Sequence, residues 1–128
     1  MAKYPKARRL LKRREFLRVQ RSNRASRSRH FVLLLAPRED PGPCRLGVVA
    51  SKRVGNAVAR NRGKRRVREW FRENSRVPSA TDLVVVLRVG APALSAAQTE
   101  AELDQALGRA LNGRRGTAAD RGRPRDRG

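Results

Sequence analysis

The chain is poor in the residue types that cross-links, metal centres and catalytic pairs require. Its 128 residues include one cysteine, Cys44, and one histidine, His30. A single cysteine cannot form an internal disulfide, and together these two residues cannot supply the four ligands of a structural zinc site. Nor does one histidine provide an acid–base pair for catalysis. We therefore expect a protein of a reducing compartment, the cytoplasm, with no catalytic residues of these kinds.

Long hydrophobic runs are missing as well. The longest apolar stretch, from Phe31 to Ala36, has the length of a β-strand. The basic N-terminus is not followed by the 7–15 apolar residues of a signal peptide, and no run approaches the 18 residues that suggest a membrane span. The sequence predicts neither a signal peptide nor a membrane partner.

Acidic residues are scarce relative to basic ones. Eleven Asp and Glu face 32 Lys and Arg, which gives a net charge of +21 and predicts a polyanionic partner. The excess is concentrated in two segments, because residues 1–30 carry twelve bases and one acid while residues 51–76 carry ten and two. A two-metal nuclease needs clustered carboxylates, and the second segment offers only Glu69 and Glu73.

The first half of the chain reads as a basic arm, a short helix and two strands. Residues 1–9 lack apolar periodicity and are predicted to be flexible. A helix is expected from Leu10 to about Arg21, with Phe16 and Leu17 on one face and Asn23 as its terminating residue. Two strands follow at His30 to Ala36 and Arg45 to Ser51, and the turn residues between them suggest an antiparallel pair.

The second half predicts a long helix, a buried strand and a final helix. Asn56 is a candidate N-cap for a helix reaching about Asn74. The apolar run within the strand Asp82 to Val89 suggests burial on both faces. Ser95 to Gln98 matches a capping box that opens a packing helix, and residues 112–128 read as a disordered basic tail.

The long helix separates apolar from basic side chains. At about 100° per residue, one arc that should face the sheet contains Ala59, Gly63, Val67, Trp70 and Phe71. The neighbouring arc contains Asn61, Lys64, Arg65, Arg68 and Arg72, while Glu69 and Glu73 project elsewhere. Arg60, Lys64, Arg68 and Arg72 recur every four residues, where like charges repel unless an anion neutralises them. Arg60 projects inside the apolar arc, where its stem should pack while its guanidinium reaches a groove between helix and sheet.

The start of this helix offers a second anion site. Unpaired backbone N–H groups near Asn56 point outward, and Lys52 and Arg53 flank them, so a phosphate is an expected ligand. A simple turn with a helix cap is the alternative for Gly55 and Asn56.

The stretch from Ser51 to Glu69, which includes Arg60-Asn61-Arg62, resembles the signature of the bacterial ribonuclease P protein. The similarity covers roughly residues 8–111, which makes residues 10–111 the family domain. It implies an α+β fold, a two-layer αβββαβα sandwich of the kind also seen in ribosomal proteins. Its mixed four-stranded sheet has a left-handed βαβ crossover, against the usual right-handed rule. Three strands are visible in the sequence, and a short extension at Lys52 to Val54 is the expected fourth.

The resemblance also implies partners and sites. The helix carrying Arg60, Asn61 and Arg62 is expected to contact the catalytic RNA of ribonuclease P. A cleft between the sheet and the first helix is expected to hold the 5′ leader of precursor tRNA, with Phe16, Phe31 and Arg60 as its residues. The active site is then in the RNA, Mg²⁺ is bound mainly by the RNA, and no obligate protein partner is implied. At Gln20 and Leu34 this chain lacks the aromatic residues that the family often has, which predicts weaker stacking in the cleft.

Two alternatives remain open at this level. The first is a structural RNA-binding protein, such as a ribosomal protein, which could have the same charge and the same fold. An autonomous nuclease is the other alternative, and it would cleave precursor tRNA without an RNA subunit.

Overall fold

The computed structural model describes residues 13–21, 24–39, 41–74 and 77–112. The predicted arm at residues 1–9 and nearly all of the predicted tail at 112–128 lie outside these residues, as does Asn23. The elements follow in the order α1 (Arg13–Gln20), β1 (Arg24–Arg27), β2 (Phe31–Pro37), β3 (Arg45–Val49), α2 (Ala57–Arg72), β4 (Thr81–Leu87) and α3 (Ala96–Asn112), with 3₁₀ turns at Lys52–Val54 and Ala91–Ala93. This is the predicted αβββαβα order.

The four strands form one mixed sheet in the order β1-β2-β4-β3. Strand β2 is antiparallel to both β1 and β4, whereas β3 and β4 are parallel and are connected through α2. Because β4 lies between β2 and β3, those two strands do not pair, and the predicted antiparallel pair is wrong. The fourth strand is β1 rather than the expected extension at Lys52–Val54, which is a 3₁₀ turn.

The two faces of the sheet pack against different helices. Side chains alternate along each strand, so Phe31, Leu33 and Leu35 of β2 face the large core beneath α2 and α3. The opposite face carries a smaller cluster, in which Ala36, Val84 and Val19 of α1 are buried. Strand β4 is therefore covered on both sides, as its apolar run predicted, and its first six residues include five that are buried.

Local signals place α2 and α3 where the sequence predicted. The side chain of Asn56 accepts a hydrogen bond from the N–H of Ala59 at 2.9 Å, which caps α2. Ser95 and Gln98 form the reciprocal capping box, with donor–acceptor distances of 2.9 and 3.1 Å. The buried face of α2 contains Gly63, Val67, Trp70 and Phe71, and that of α3 contains Thr99, Leu103, Ala106, Leu107 and Ala110.

A hydrogen bond between Trp70 and Asp104 connects α2 to α3. Nε1 of Trp70 donates to Oδ1 of Asp104 at 2.8 Å, so the indole ring has both an apolar environment and a polar partner. No helix of the described residues is long and apolar enough to cross a membrane.

Candidate RNA interface

Most of the predicted site residues lie around one edge of the sheet. Strand β3 is the last strand on that side, with α2 packed over one face and α1 over the other. The chain leaves β3 at Val49, makes the 3₁₀ turn at Lys52–Val54 and enters α2 at Ala57. The N-terminus of α2 thus lies directly beyond the end of the edge strand.

The turn before α2 presents positive charge to solvent. Lys52, Arg53 and Asn56 are exposed. The Asn56 side chain caps the helix through Ala59, and the N–H of Arg60 donates to the Asn56 carbonyl at 2.9 Å. The helix start therefore combines a fixed backbone with two exposed cationic side chains, which is suitable for an anion.

A row of four basic residues follows along one flank of α2. Arg60, Lys64, Arg68 and Arg72 are all half-buried, and they share a flank because each is one turn beyond the last. Asn61 and Arg65 are exposed beside this row. These six residues of the set predicted to bind RNA are therefore together on one surface, which we call the α2 basic face, whereas Arg62, predicted with them, is not.

Arg62 and Arg66 belong to the other flank and are held by backbone carbonyls. Nε of Arg62 donates to the carbonyl of Pro92 at 3.3 Å, and Nη1 of Arg66 donates to the carbonyl of Leu94. This flank faces the segment that leads into α3, so the α2 basic face points away from α3. Arg62 remains exposed, whereas Arg66 is half-buried and helps to hold α2 in place.

Arg60 takes a different direction from the one predicted. Its Nε donates to the carbonyl of Gly55 at 3.2 Å, so the guanidinium turns back toward the loop that precedes α2. It does not line the groove beside α1. The reason is local, because the Gly55 carbonyl lies just before α2, five residues from Arg60, and offers an acceptor.

An apolar groove lies on the other side of the edge strand, between α1 and β3. It has a volume of about 580 Å³ and is lined by Arg13, Phe16, Leu17 and Gln20 of α1, by Val48 and Val49 of β3, and by Ala50 just beyond β3. Leu17 is 37% exposed, and Phe16 is half-buried. The apolar side chains of Phe16, Leu17 and Val49 and the amide of Gln20 are thus accessible in one concave surface.

Phe31 is not part of this groove, which corrects its predicted position. It is 1% exposed and packs in the core beneath α2 and α3, on the opposite face of the sheet from Phe16. Residues of a strand alternate between faces, so Leu34, which packs with the cluster beside α1, is on the groove side instead.

An ionic cluster that the sequence analysis did not predict lies beneath α1. It consists of Glu15, Arg18, Arg38, Arg45 and Asp82, and we call it the Asp82 cluster. The Asp82 side chain is 0% exposed. Its carboxylate accepts hydrogen bonds from Arg18 at 2.5 Å, from Arg38 at 2.8 Å and from Arg45 at 2.8 and 2.9 Å. Arg45 also pairs with Glu15 at 3.0 Å. Three arginines that count toward the net charge are therefore committed within the protein.

Burial and ion pairing act in opposite directions on the Asp82 carboxyl. Burial raises its pKa, but the hydrogen bonds from Arg45, Arg38 and Arg18 outweigh burial, so the pKa lies below its usual value. Hydrogen bonding to Asp82 raises the pKa of Arg45 in turn. An acidic residue at the start of an otherwise apolar, doubly covered strand was the one sequence signal that pointed to this cluster.

A second contact that involves a carboxylate joins Glu102 and His30, away from the Asp82 cluster. Oε1 of Glu102 in α3 is 2.7 Å from Nδ1 of His30, and Oε2 accepts from Ser28 and from the backbone N–H of His30. This contact joins α3 to the turn between β1 and β2. Across residues 13–21, 24–39, 41–74 and 77–112, no three His, Cys, Asp or Glu side chains are grouped so that they could hold a metal ion.

Comparisons with known proteins identify the family of this chain. The family model described as Ribonuclease P matches residues 4–111. A ribonuclease P protein component of Citrifermentans bemidjiense is 42% identical over 106 residues, covering 83% of this chain and 90% of the relative. One from Syntrophobacter fumaroxidans is 48% identical over 91 residues, covering 70% and 76%.

Solved structures show the same fold. The ribonuclease P protein of Staphylococcus aureus superposes with a TM-score of 0.73 at 32% identity, covering 80% of this chain and 94% of that one. The Thermotoga maritima protein gives 0.70 at 31% identity, covering 79% and 96%. The chain therefore belongs to the bacterial ribonuclease P protein family and has the role of its members, the protein subunit of the ribonucleoprotein that matures the 5′ ends of tRNA.

Proposed function

We propose that this subunit binds the RNA of ribonuclease P through the α2 basic face and the 5′ leader of precursor tRNA through the groove between α1 and β3. The observation that carries the proposal is that the two surfaces share one edge of the sheet. A nucleic acid strand leaving the groove at Ala50 meets Lys52 and Arg53 at once. Substrate and RNA subunit are then held side by side.

The two surfaces have the chemistry of their proposed ligands. Phosphates that approach the α2 basic face relieve the repulsion within the row from Arg60 to Arg72 and release counterions. The groove presents Phe16 and aliphatic side chains, which suit unstacked bases of single-stranded RNA. Gln20 adds a donor and an acceptor for a base edge in place of a second ring.

We assign cleavage of the phosphodiester to the RNA subunit. The described carboxylates do not fit a protein-held metal pair, because none of them forms a group of three or more possible ligands, Asp82 is enclosed by arginines and Glu102 contacts His30. Mg²⁺ is accordingly proposed to be bound mainly by the RNA. The role of the protein is then to screen phosphate repulsion and to orient the leader.

Reconstitution tests this division of labour. The protein is combined with ribonuclease P RNA at low Mg²⁺ concentration, precursor tRNA is added, and the 5′ end of the product is mapped. We expect cleavage at the mature 5′ end with the complex and none with protein and Mg²⁺ alone. Site-specific cleavage by the protein alone would contradict the assignment of chemistry to the RNA.

A purely structural RNA-binding role is the competing function. Such a protein needs the α2 basic face but no groove for a single strand. Binding of precursor tRNA and of mature tRNA to the reconstituted complex separates the two roles. We expect the precursor to bind more tightly only in the proposed function, since mature tRNA lacks the leader.

A further inference from the structure

Helix α1 forms one wall of the groove but has little apolar contact to fix it. It is eight residues long, and Val19 is its one fully buried side chain. Its other apolar residues, Phe16 and Leu17, are left partly accessible because they line the groove. An isolated helix of this length is unstable in water, so tertiary contacts must hold it.

Those contacts lie on the flank of α1 opposite the groove. Arg18 donates to Asp82 at 2.5 Å and to the carbonyl of Pro37 at 3.2 Å, while Glu15 pairs with Arg45 at 3.0 Å. At 100° per residue, Glu15 and Arg18 project to one side, and Phe16 and Gln20 project to the other. Whatever fixes the first pair fixes the second.

Arg45 connects both walls of the groove through one rigid group. Its Nε and Nη2 donate to the Asp82 carboxylate, and its Nη1 donates to Glu15. The guanidinium is planar, so the three contacts determine angle as well as distance. Arg45 begins β3, the strand that supplies Val48 and Val49 to the opposite wall.

The same arginines are poorly placed to bind an anion themselves. The depression beside the cluster is lined by Arg14, Arg18, Arg38 and Arg45 together with Glu15 and Glu39. Nη1 of Arg38 donates to Asp82 and to the carbonyl of Thr81, and its Nη2 donates to the carbonyl of Pro43. Because these donors already have acceptors within the protein, the arginines stabilise the packing of α1 and do not form a phosphate site.

We infer that Glu15, Arg18, Arg45 and Asp82 are positioning residues that set the width of the groove, and thereby the affinity for the precursor leader, without contacting it. This inference rests on the proposed function of the groove. It deepens that function by assigning leader affinity to residues on the far side of α1.

The test compares two arginines of the same helix. Arg18→Gln breaks the contact with Asp82, whereas Arg14→Gln removes the same charge from an exposed side chain outside the cluster. Affinities of the reconstituted holoenzyme are measured for precursor and for mature tRNA at one ionic strength. We expect Arg18→Gln to lower the precursor-to-mature affinity ratio by about 5- to 10-fold, comparable to the loss of one stacked base. Arg14→Gln should change that ratio by about twofold or less.

A double variant distinguishes positioning from a general loss of structure. If Arg18 acts through Phe16, then Phe16→Ala combined with Arg18→Gln should lower the ratio no further than Phe16→Ala alone. Arg18→Lys should restore part of the ratio, because it keeps a charge at Asp82 with fewer contacts. Additive losses, or equal effects of the Arg14 and Arg18 variants, would overturn the inference.

Failure of the proposed function gives a different result. If Phe16→Ala leaves the ratio unchanged, the groove does not bind the leader. If Phe16→Ala lowers the ratio but Arg18→Gln does not, the groove is correct and the positioning role is wrong. Should Arg18→Gln fail to fold, as judged by Trp70 fluorescence, Glu15→Gln provides the same test, since Arg45 then keeps its two contacts with Asp82.

Discussion

Gly63 and Leu87 approach so closely that a Cβ atom on Gly63 would lie 2.5 Å from Cδ2 of Leu87. The glycine is in the middle of α2 and is buried, and Leu87 is the last residue of β4 and 3% exposed. Glycine in the middle of a helix lowers the stability of the helix, but here the missing side chain lets α2 pack closely against the end of β4.

Gly63→Ala should therefore lower the free energy of unfolding, by up to about 2 kcal/mol. Overpacking costs roughly 1–3 kcal/mol, and the gain in helix propensity of about 1 kcal/mol offsets only part of it. In a Leu87→Ala background, the same substitution should become stabilising, because the clashing atom is gone and the propensity gain remains. Urea unfolding followed by Trp70 fluorescence measures both values. A stabilising effect of Gly63→Ala in the otherwise unchanged protein would contradict the close packing.

The two phenylalanines flanking β1 should behave differently on substitution. Phe31→Ala removes a core side chain and should cost about 3–5 kcal/mol of stability. Phe16→Ala should cost less and should instead weaken binding of precursor tRNA more than of mature tRNA. Denaturation and tRNA binding measured on both variants separate the two effects. Equal losses for both tRNAs with Phe16→Ala would argue against the groove as the leader site.

Asn56 has two proposed roles that substitutions can separate. Asn56→Ala loses the helix cap and should cost about 1 kcal/mol of stability. Asn56→Asp keeps the cap, and its charge favours the helix N-terminus, so stability should be unchanged or higher. The same aspartate repels a phosphate, so affinity for ribonuclease P RNA should fall several-fold. Undiminished affinity of the Asp variant would place the phosphate away from this helix end.

Neighbouring arginines on α2 form a second matched pair. Arg65 is exposed beside the α2 basic face, whereas Arg66 is half-buried and donates to the carbonyl of Leu94. Arg65→Ala should weaken RNA binding and reduce the slope of log affinity against log salt by about 1. Arg66→Ala should leave that slope unchanged and cost about 1 kcal/mol of stability. RNA titrations at several salt concentrations, with unfolding curves, distinguish the two outcomes.

Stability should fall in acid because Asp82 and Glu102 have lowered pKa values in the folded protein. Burial raises the pKa of both carboxyls, but hydrogen bonds outweigh burial in each case. Three arginines donate to Asp82, and Ser28 and His30 donate to Glu102. A lowered folded pKa favours the native state above the unfolded value, about 4 for these groups, and that contribution disappears as the pH falls below it.

The test compares the free energy of unfolding of the wild type and of Asp82→Asn between pH 7 and pH 3. At pH 7 the variant should be less stable by about 3–5 kcal/mol, because three guanidinium groups lose their counter-charge. The difference should narrow as the pH falls below about 4. A difference that stays constant down to pH 3 would mean that Asp82 does not titrate as described. If Asp82→Asn does not fold, Glu102→Gln serves as a milder version of the same comparison.

Much of the fold was predictable because its signals are local. The Asn56 cap and the Ser95–Gln98 capping box depend on residues three apart, and both helices begin where those signals predicted. β1 was not predicted because its four residues are three polar residues and one alanine and contain no apolar run. The pairing of β2 with β3 was wrong because turn residues between two strands do not reveal that a later strand will lie between them.

The candidate site was predictable where it depends on helical periodicity, and not where it depends on tertiary contacts. The α2 basic face follows from helical periodicity, and the exposed side chains of Asn61 and Arg65 are where that periodicity places them. The direction of Arg60 and the burial of Phe31 depend on the Gly55 carbonyl and on the face of β2, which spacing alone did not fix.

By itself, the sequence determined the three helices, the strands β2, β3 and β4, the basic character of α2 and the family signature around Arg60. These depend on caps, apolar periodicity and charge within a few turns of chain. Only the tertiary structure decided which arginines remain available to RNA. Arg18 and Asp82 are 64 residues apart in the chain, yet their side chains meet at 2.5 Å. Strand order brings such residues together, and a charge count cannot distinguish an arginine that faces a buried carboxylate from one that faces solvent.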